Sequence, residues 1–476
     1  MKKSFLLFLL LGFLVRLPGQ TFQKFIEHVN GLPEGERQAV VDSFMNAGHS
    51  FPYCEYDTLV HFIYRGGQTT VSLAGDATGW NPNVPLVRIS GTYFWYHTAI
   101  YESDARLDYK YVLNGSSWIL DPLNPHICTG GFGPNSELNM PGYIVPPEIH
   151  YYTSIPHGVI RDTVFHSTQL NNSRTIKVYL PSDYDTSGKT YPVVLFHDGL
   201  EYLSLCSAKN ILDYLIAHQM MAPVIGIFVP PVDRTQEYAG NKQEKFRKFI
   251  IEELMPVMEM KYRIDSSSQK RAMIGASNGG NISLYIGMNN PEQFGKIGVQ
   301  SSNVQSSISQ SFQNNDKMNL ELYLDIGTYD LPSLIPLVKN FVSILQSKQY
   351  PFQFFEFHEG HSWGNWKGHL RLPLMQFFPF HTGLQDPVKK PPCQLKQNYP
   401  NPFQEATIIP FFLETDSPAE LFLIDISGKR QMTLFSGKGT AGENLILFHN
   451  RDIHPGIYFY TLWVDKTAVT KSMMIQ

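Results

Sequence analysis

A chain of 476 residues with 43% hydrophobic content is long enough to bury several cores, so two or three domains are expected. A formal net charge of -4 and the absence of any long Lys/Arg run argue against nucleic acid or an anionic membrane as partner. Four cysteines, with no CxxC pair and no metal-ligand spacing, exclude a disulfide scaffold and a cysteine-rich metal centre; Cys54 and Cys128 flank one module and are the pair a secreted chain could bridge.

The chain opens with "MKKSFLLFLLLGFLVRLPGQ", two lysines and an apolar run that is too short to span a bilayer, which reads as a signal peptide over residues 1–19. No later stretch reads as a transmembrane helix, so none is expected in the mature protein. Residues 20–148 begin with a short amphipathic lead-in. They then alternate apolar and polar residues in "TLVHFIYRG", "TTVSLAGDA", "YFWYHTAIY" and "RLDYKYVLNG", the period of a β-sandwich. Prolines in "VPPEIHYYTSIPHG" mark a boundary near residue 147.

Residues 149–382 change character. Apolar strands such as "YPVVLFHDG", "APVIGIFVPP" and "LELYLDIGTYD" alternate with amphipathic helices, the pattern of a doubly wound, mostly parallel α/β sheet covered on both faces. Reactive residues in such sheets collect at the carboxyl ends of the strands. A proline- and lysine-containing linker is assigned to 383–396, and residues 397–476 return to short β runs, a second small sandwich.

"KRAMIGASNGGNISLYIG" carries Gly-x-Ser-x-Gly between an apolar strand and a helix that ends before Pro291. A strand-Ser-helix turn exposes the hydroxyl of Ser277, Gly275 and Gly279 relieve crowding there, and the helix start supplies free N–H groups for a developing oxyanion. Serine needs a base, and the base needs an orienting acid. His361 follows a late strand in "FHEGHSWGNW" and is the expected base. His358 sits within the strand alternation and reads as structural, and His197, His369 and His381 are weaker candidates. Asp330, just past the strand that contains Asp325, is the expected acid; its other reading is a helix N-cap. The order Ser277, Asp330, His361 is that of α/β-hydrolases. The oxyanion donors are expected at the backbone N–H of Asn278 and of Leu200, with Gly199 as the alternative to Leu200. Arg234 and Glu237 in "DRTQEY" read equally as substrate-binding residues and as a structural ion pair.

With these residues in place, the α/β block at 149–382 resembles the esterase D and enterochelin esterase-like family of α/β-hydrolases. "FHDG", "VPPVDRTQEY", "FRKFIIEELMPVMEMKYRI", "IGASNGG", "PEQFGKIGVQSS", "DIGTYD" and "EGHSWGNW" occur in order across residues 155–380. The resemblance implies carboxylic ester hydrolysis through an acyl-enzyme, with Ser277, Asp330 and His361 as triad. Asn278 departs from the Met that relatives often carry, and only its backbone N–H is needed. "LAGDATGWNP", "DYKYVLNGSSWILDP" and "GFGPNSELNMPGY" are similar to an early-set domain of the glycogen-binding, AMP-kinase β-subunit type. That resemblance places Trp80, Lys110 and Trp118 at the positions that hold sugar in carbohydrate-binding members. Indoles of a small sandwich also commonly belong to its core. The last block, with "QNYPNPFQEATI", "LIDISGK", "HPGIYFYTL" and "TKSMMIQ", resembles the C-terminal sorting domain of type IX secretion. It implies passage through the periplasm by way of that machinery to the outside or the cell surface.

The expectation is a secreted serine esterase that needs no metal or organic cofactor and acts on carbohydrate-linked acyl esters of the feruloyl or acetyl type. A siderophore esterase is the alternative, and a non-catalytic glycan-binding surface protein is the rival from another class.

Overall fold

The computed structural model describes residues 21–380, 393–425, 429–451, 453–464 and 467–475; the segment read as a signal peptide, His381 and most of the assigned linker lie outside them. Two compact units result, one ending at Phe380 and one formed by the C-terminal β block.

In the first unit, four strands buried along nearly their whole length form the centre of the hydrolase sheet: Val193–His197, Ile225–Val229, Arg271–Ala276 and Lys296–Gln300. Neighbours run parallel in the order Ile225–Val229, Val193–His197, Arg271–Ala276, Lys296–Gln300, Glu321–Tyr329, Phe352–Gly360. The hairpin Val159–Ser167/Asn172–Leu180 is added antiparallel at one edge. Alternate residues feed two cores: Val193 and Leu195 point to one, Val194 and Phe196 to the other. The continuous apolar runs thus mean burial on both faces.

The helices Phe22–Gly31 and Glu34–Met45 pack Phe22, Phe25 and Phe44 against Phe94 of the first sandwich sheet. The core between its two sheets contains Phe62, Leu73, Trp95, Tyr109 and Tyr111. The strand Arg106–Leu113 is bridged in parallel to Phe352–Gly360 through Arg106 and Glu359, so one 14-stranded sheet runs through sandwich and hydrolase. The proline-marked segment near 147 is packed rather than loose. It forms the single turn Pro147–Ile149, whose buried Glu148 accepts from Arg371 at 3.0 Å while Asn210 donates to the Ile149 carbonyl at 3.1 Å. Cys54 and Cys128 are unbridged thiols, so the pairing open to them in sequence is not made.

The C-terminal unit is a sandwich of a 3-stranded and a 4-stranded sheet. Its first strand, Cys393–Leu395, falls inside the range assigned to the linker: Cys393 and Leu395 point inward and the strand pairs with Ala406–Leu413. Among the described residues, no helix is long and apolar enough to cross a membrane.

Candidate active site

The strand Arg271–Ala276 delivers Ser277 at φ 55°, ψ -121°, a left-handed conformation unusual for a side chain with a Cβ, and the helix Asn278–Asn289 starts at the next residue. A Cβ on Gly275 would run into the Gly279 carbonyl, and one on Gly279 would meet the Asp198 carboxylate at 2.9 Å. Both glycines of the motif are therefore close-approach positions. The turn is pinned from below: Ser277 donates its N–H to the Gln300 carbonyl at 2.8 Å, and its own carbonyl accepts from Gly280, Asn281 and Asn303. Asn278 stands at the first helical position, where the helix itself offers its N–H no acceptor. Leu200 stands likewise in the first turn of the helix Gly199–Ser204.

His361 follows the strand Phe352–Gly360, and Asp330 follows Glu321–Tyr329. His361 donates its Nδ1–H to Asp330 Oδ1 at 2.8 Å, which fixes the tautomer and leaves Nε2 as the basic nitrogen. The Asp330 carboxylate is buried and also accepts the Leu331 N–H at 2.7 Å. The helix N-cap reading of Asp330 is replaced by this local turn, because the helix that follows is Ile335–Ser347 with Leu334 at its cap. The His361 ring stands edge-on to Trp366 at 5.1 Å. Ser362 caps the helix Trp363–His369, and Asn365 donates to the Gly360 carbonyl at 2.9 Å, so the main chain is held on both sides of His361.

Gln300, which sequence reading did not single out, ties the parts together. Its carbonyl holds Ser277, its amide donates to the Trp366 carbonyl at 3.1 Å, and its Oε1 accepts from Tyr202 at 3.0 Å. The elbow, the helix that follows the base and the helix that carries the second oxyanion position thus share one buried residue. Asp325 lies below it, accepting from Tyr323 and Gln300, and burial raises its carboxyl to about 7.

Arg234 and Glu237 do not pair with each other. Arg234 grips Asp198 with two N–H groups, each at 2.8 Å, and fixes the loop that carries Gly199 and Leu200. Glu237 is fully buried and takes two N–H groups of Arg174 at 3.0 Å each, which makes it a fold residue and removes it as a substrate contact. His197 is buried among Tyr238 and Phe246 and burial lowers it to about 3, so it is neutral. His369 bonds Glu359 at 2.7 Å, and His358 bonds Asp104 at 2.7 Å, as its structural reading expects.

In the sandwich, Lys110 is half-buried, and Trp118 is 44% exposed on a strand whose register, Trp118 opposite Val112, puts both on one face. Trp80 is half-buried and donates its indole N–H to Asp76 at 3.1 Å. Asp108, Cys128 and Glu137 bring donor atoms within 4.8 Å of one another, but Arg106 bonds both carboxylates and supplies the charge a cation would.

Residues 167–375 match the family model described as "Putative esterase". An uncharacterized protein of Bacillus subtilis, YjcH, is 28% identical over 226 residues, 44% of this chain and 94% of that protein. An endo-1,4-beta-xylanase/feruloyl esterase of Xylanibacter ruminicola is 29% identical over 163 residues, 32% of this chain and 22% of that protein. The enterobactin esterase of Shigella flexneri, solved with enterobactin, superposes with a TM-score of 0.61 at 20% identity over 71% of this chain and 97% of that one. The ferric enterobactin esterase of Salmonella typhimurium gives 0.59 at 20% identity over 68% and 94%. The α/β block matches that esterase model and has the α/β-hydrolase fold, and the protein is a carboxylic ester hydrolase.

Proposed function

We propose that this protein is a secreted serine esterase that cleaves carbohydrate-linked acyl esters of the feruloyl or acetyl type. The observation that carries the serine mechanism is the pairing of a strained Ser277 elbow with a His361 whose Nδ1–H is committed to buried Asp330. Ser277 Oγ attacks the ester carbonyl and His361 Nε2 takes its proton. The oxyanion is held by the N–H groups of Asn278 and Leu200, the same proton then goes to the leaving alcohol, and water repeats the sequence on the acyl-enzyme. Asp330 holds the tautomer and the imidazolium. Arg234 acts through Asp198 by keeping the Leu200 loop in place.

The substrate class draws support from the sugar-module resemblance of residues 55–142, from exposed Trp118, and from the xylanase/feruloyl esterase relative. Export through the type IX route is the reading of the C-terminal motifs. A siderophore ester is the second reading, favoured by neighbours whose likeness extends over 71% of the chain, beyond the hydrolase block. Hydrolysis of p-nitrophenyl acetate, methyl ferulate and a catecholate siderophore ester by the protein and by Ser277→Ala tests these readings. The variant should lose about 10⁴-fold or more in kcat, with methyl ferulate preferred over the siderophore ester. The reverse preference selects the second reading, and equal inertness of both proteins selects a glycan-binding protein.

A further inference from the structure

Acid and base sit on two loops of the hydrolase sheet, and the N-terminal sandwich holds both. On the acid side, Tyr329, the residue before Asp330, donates its hydroxyl to Glu102 at 2.7 Å and sets its ring edge-on to Tyr101 at 5.8 Å. On the base side, residues before and after His361 meet the sandwich. His358 bonds Asp104, Glu359 is bridged to Arg106, and Ser362 Oγ accepts from Arg106 Nη1 at 3.1 Å.

The space on either side of His361 is filled by the same sandwich. A Cβ on Gly360 would collide with the Asp76 carboxylate, and one on Gly364 with the Arg106 guanidinium. Asp76 cannot yield, because it also accepts the Asp108 N–H at 2.7 Å and the Trp80 indole at 3.1 Å. Arg106 is 1% exposed and held by Asp108, Glu137 and Glu359. The two glycines that bracket the histidine are therefore the imprint of another domain's side chains, not a sign of loop freedom.

From this geometry we propose that the sandwich is a working part of the active site: Arg106, Asp76 and Glu102 are positioning residues that set the distance and orientation of the Asp330–His361 pair. This rests on the reading of Ser277, Asp330 and His361 as the triad. Loosening either loop lets the imidazole turn away from the nucleophile. The loss falls on the chemical step and spares substrate affinity, and a displacement near 1 Å costs on the order of 100-fold.

The test uses the full chain with four substitutions: Arg106→Met, Glu102→Ala, Glu102→Gln, and Phe62→Leu, the last in the sandwich's own core. Readouts are kcat and KM on p-nitrophenyl acetate, thermal melting, and the low-field NMR signal of the His361 Nδ1 proton, identified by its loss in His361→Ala. Arg106→Met is expected to lower kcat about 100-fold with KM within about twofold and to broaden the His361 signal. Glu102→Ala should lower kcat several-fold and Glu102→Gln restore it, since an amide oxygen still accepts from Tyr329. Phe62→Leu should lower the melting temperature and leave kcat unchanged. The proposal is overturned if folded Arg106→Met keeps wild-type kcat and signal, or if Phe62→Leu loses as much kcat as Glu102→Ala. Should Arg106→Met not fold, the Glu102 pair decides. A wild type inert toward every ester whose His361 signal still depends on Glu102 refutes the triad reading and leaves the positioning intact.

Discussion

The two β-sandwiches of this chain differ in what they bury. The N-terminal one buries Asp76, Arg106, Asp108 and Asp121, and Arg106, besides Asp108 and Glu137 of its own sandwich, takes further partners across the boundary in Glu359 and Ser362. The C-terminal one, among its described residues, buries no charged side chain: its buried polar groups are Asn398, Thr407, Ser417 and Thr461. It also leaves an apolar outer face, with Ile408 opposite Leu447 and Pro410 opposite Leu445. A charge is buried only where a partner awaits it, so the first sandwich is built to be completed by the hydrolase. The second closes on its own core.

Deletion breaks the comparison most directly. Every core cluster lies within one unit, so removing residues 393–476 should leave hydrolytic kcat within about twofold and the hydrolase melting temperature within about 2 °C. Removing residues 21–150 should abolish the cooperative transition, because it strips the edge from Phe352–Gly360, takes the Arg106 partner from buried Glu359 and takes the Glu148 partner from Arg371. Circular dichroism melts and ester turnover read both. A truncated hydrolase that melts like wild type after the second deletion would dissolve the distinction. A smaller effect sharpens it from the other side. The Tyr460 hydroxyl accepts the Asn398 N–H at 2.8 Å and donates to the Lys396 carbonyl at 3.0 Å, both inside the C-terminal unit. Tyr460→Phe should cost that unit about 1–3 kcal/mol. In calorimetry only its own transition should move.

The same contrast explains what could be read from sequence. Ser277 was legible because its chemistry is local: strand, glycines and helix are contiguous in "AMIGASNGGNIS". Asp330 and His361 were legible as residues just past strand ends, in the right order. Gln300 was not, because a polar residue closing "KIGVQ" looks like any strand end, and its partners Tyr202, Trp366 and Asp325 come from three other elements. Arg106 was hidden by alternation itself. In "RLDYKYVL" it reads as a solvent-facing residue, and only the hydrolase, 256 residues further along at Ser362, makes that face an interior. Glu237 lies in the short helix Arg234–Ala239, and its partner Arg174 lies in the edge hairpin and leaves no trace in "DRTQEY". The strand Cys393–Leu395 is too short to show a period after a run of prolines and lysines.

The smallest expected effect lies at the boundary between the first sandwich and the hydrolase. His358 and Asp104 meet there at 2.7 Å, and their hydrogen bond raises the imidazole above 6.5 and lowers the carboxyl below 3.8. The stabilisation from His358 is complete below 6.5 and is lost as pH rises through its raised folded value; that from Asp104 is present above 3.8 and lost as pH falls through its lowered one. The pair is therefore strongest between these limits and fades in mild alkali. Side-chain exposures of 34% and 60% screen it, which caps the change at about 1 kcal/mol. Urea unfolding of the first unit should show this drop between about pH 5.5 and pH 8.5, and Asp104→Asn should flatten it. Among its described residues the C-terminal unit has no such pair, and its transition should keep its own pH profile in the variant. A drop that survives Asp104→Asn undiminished would assign it to other groups and leave the boundary pair energetically silent.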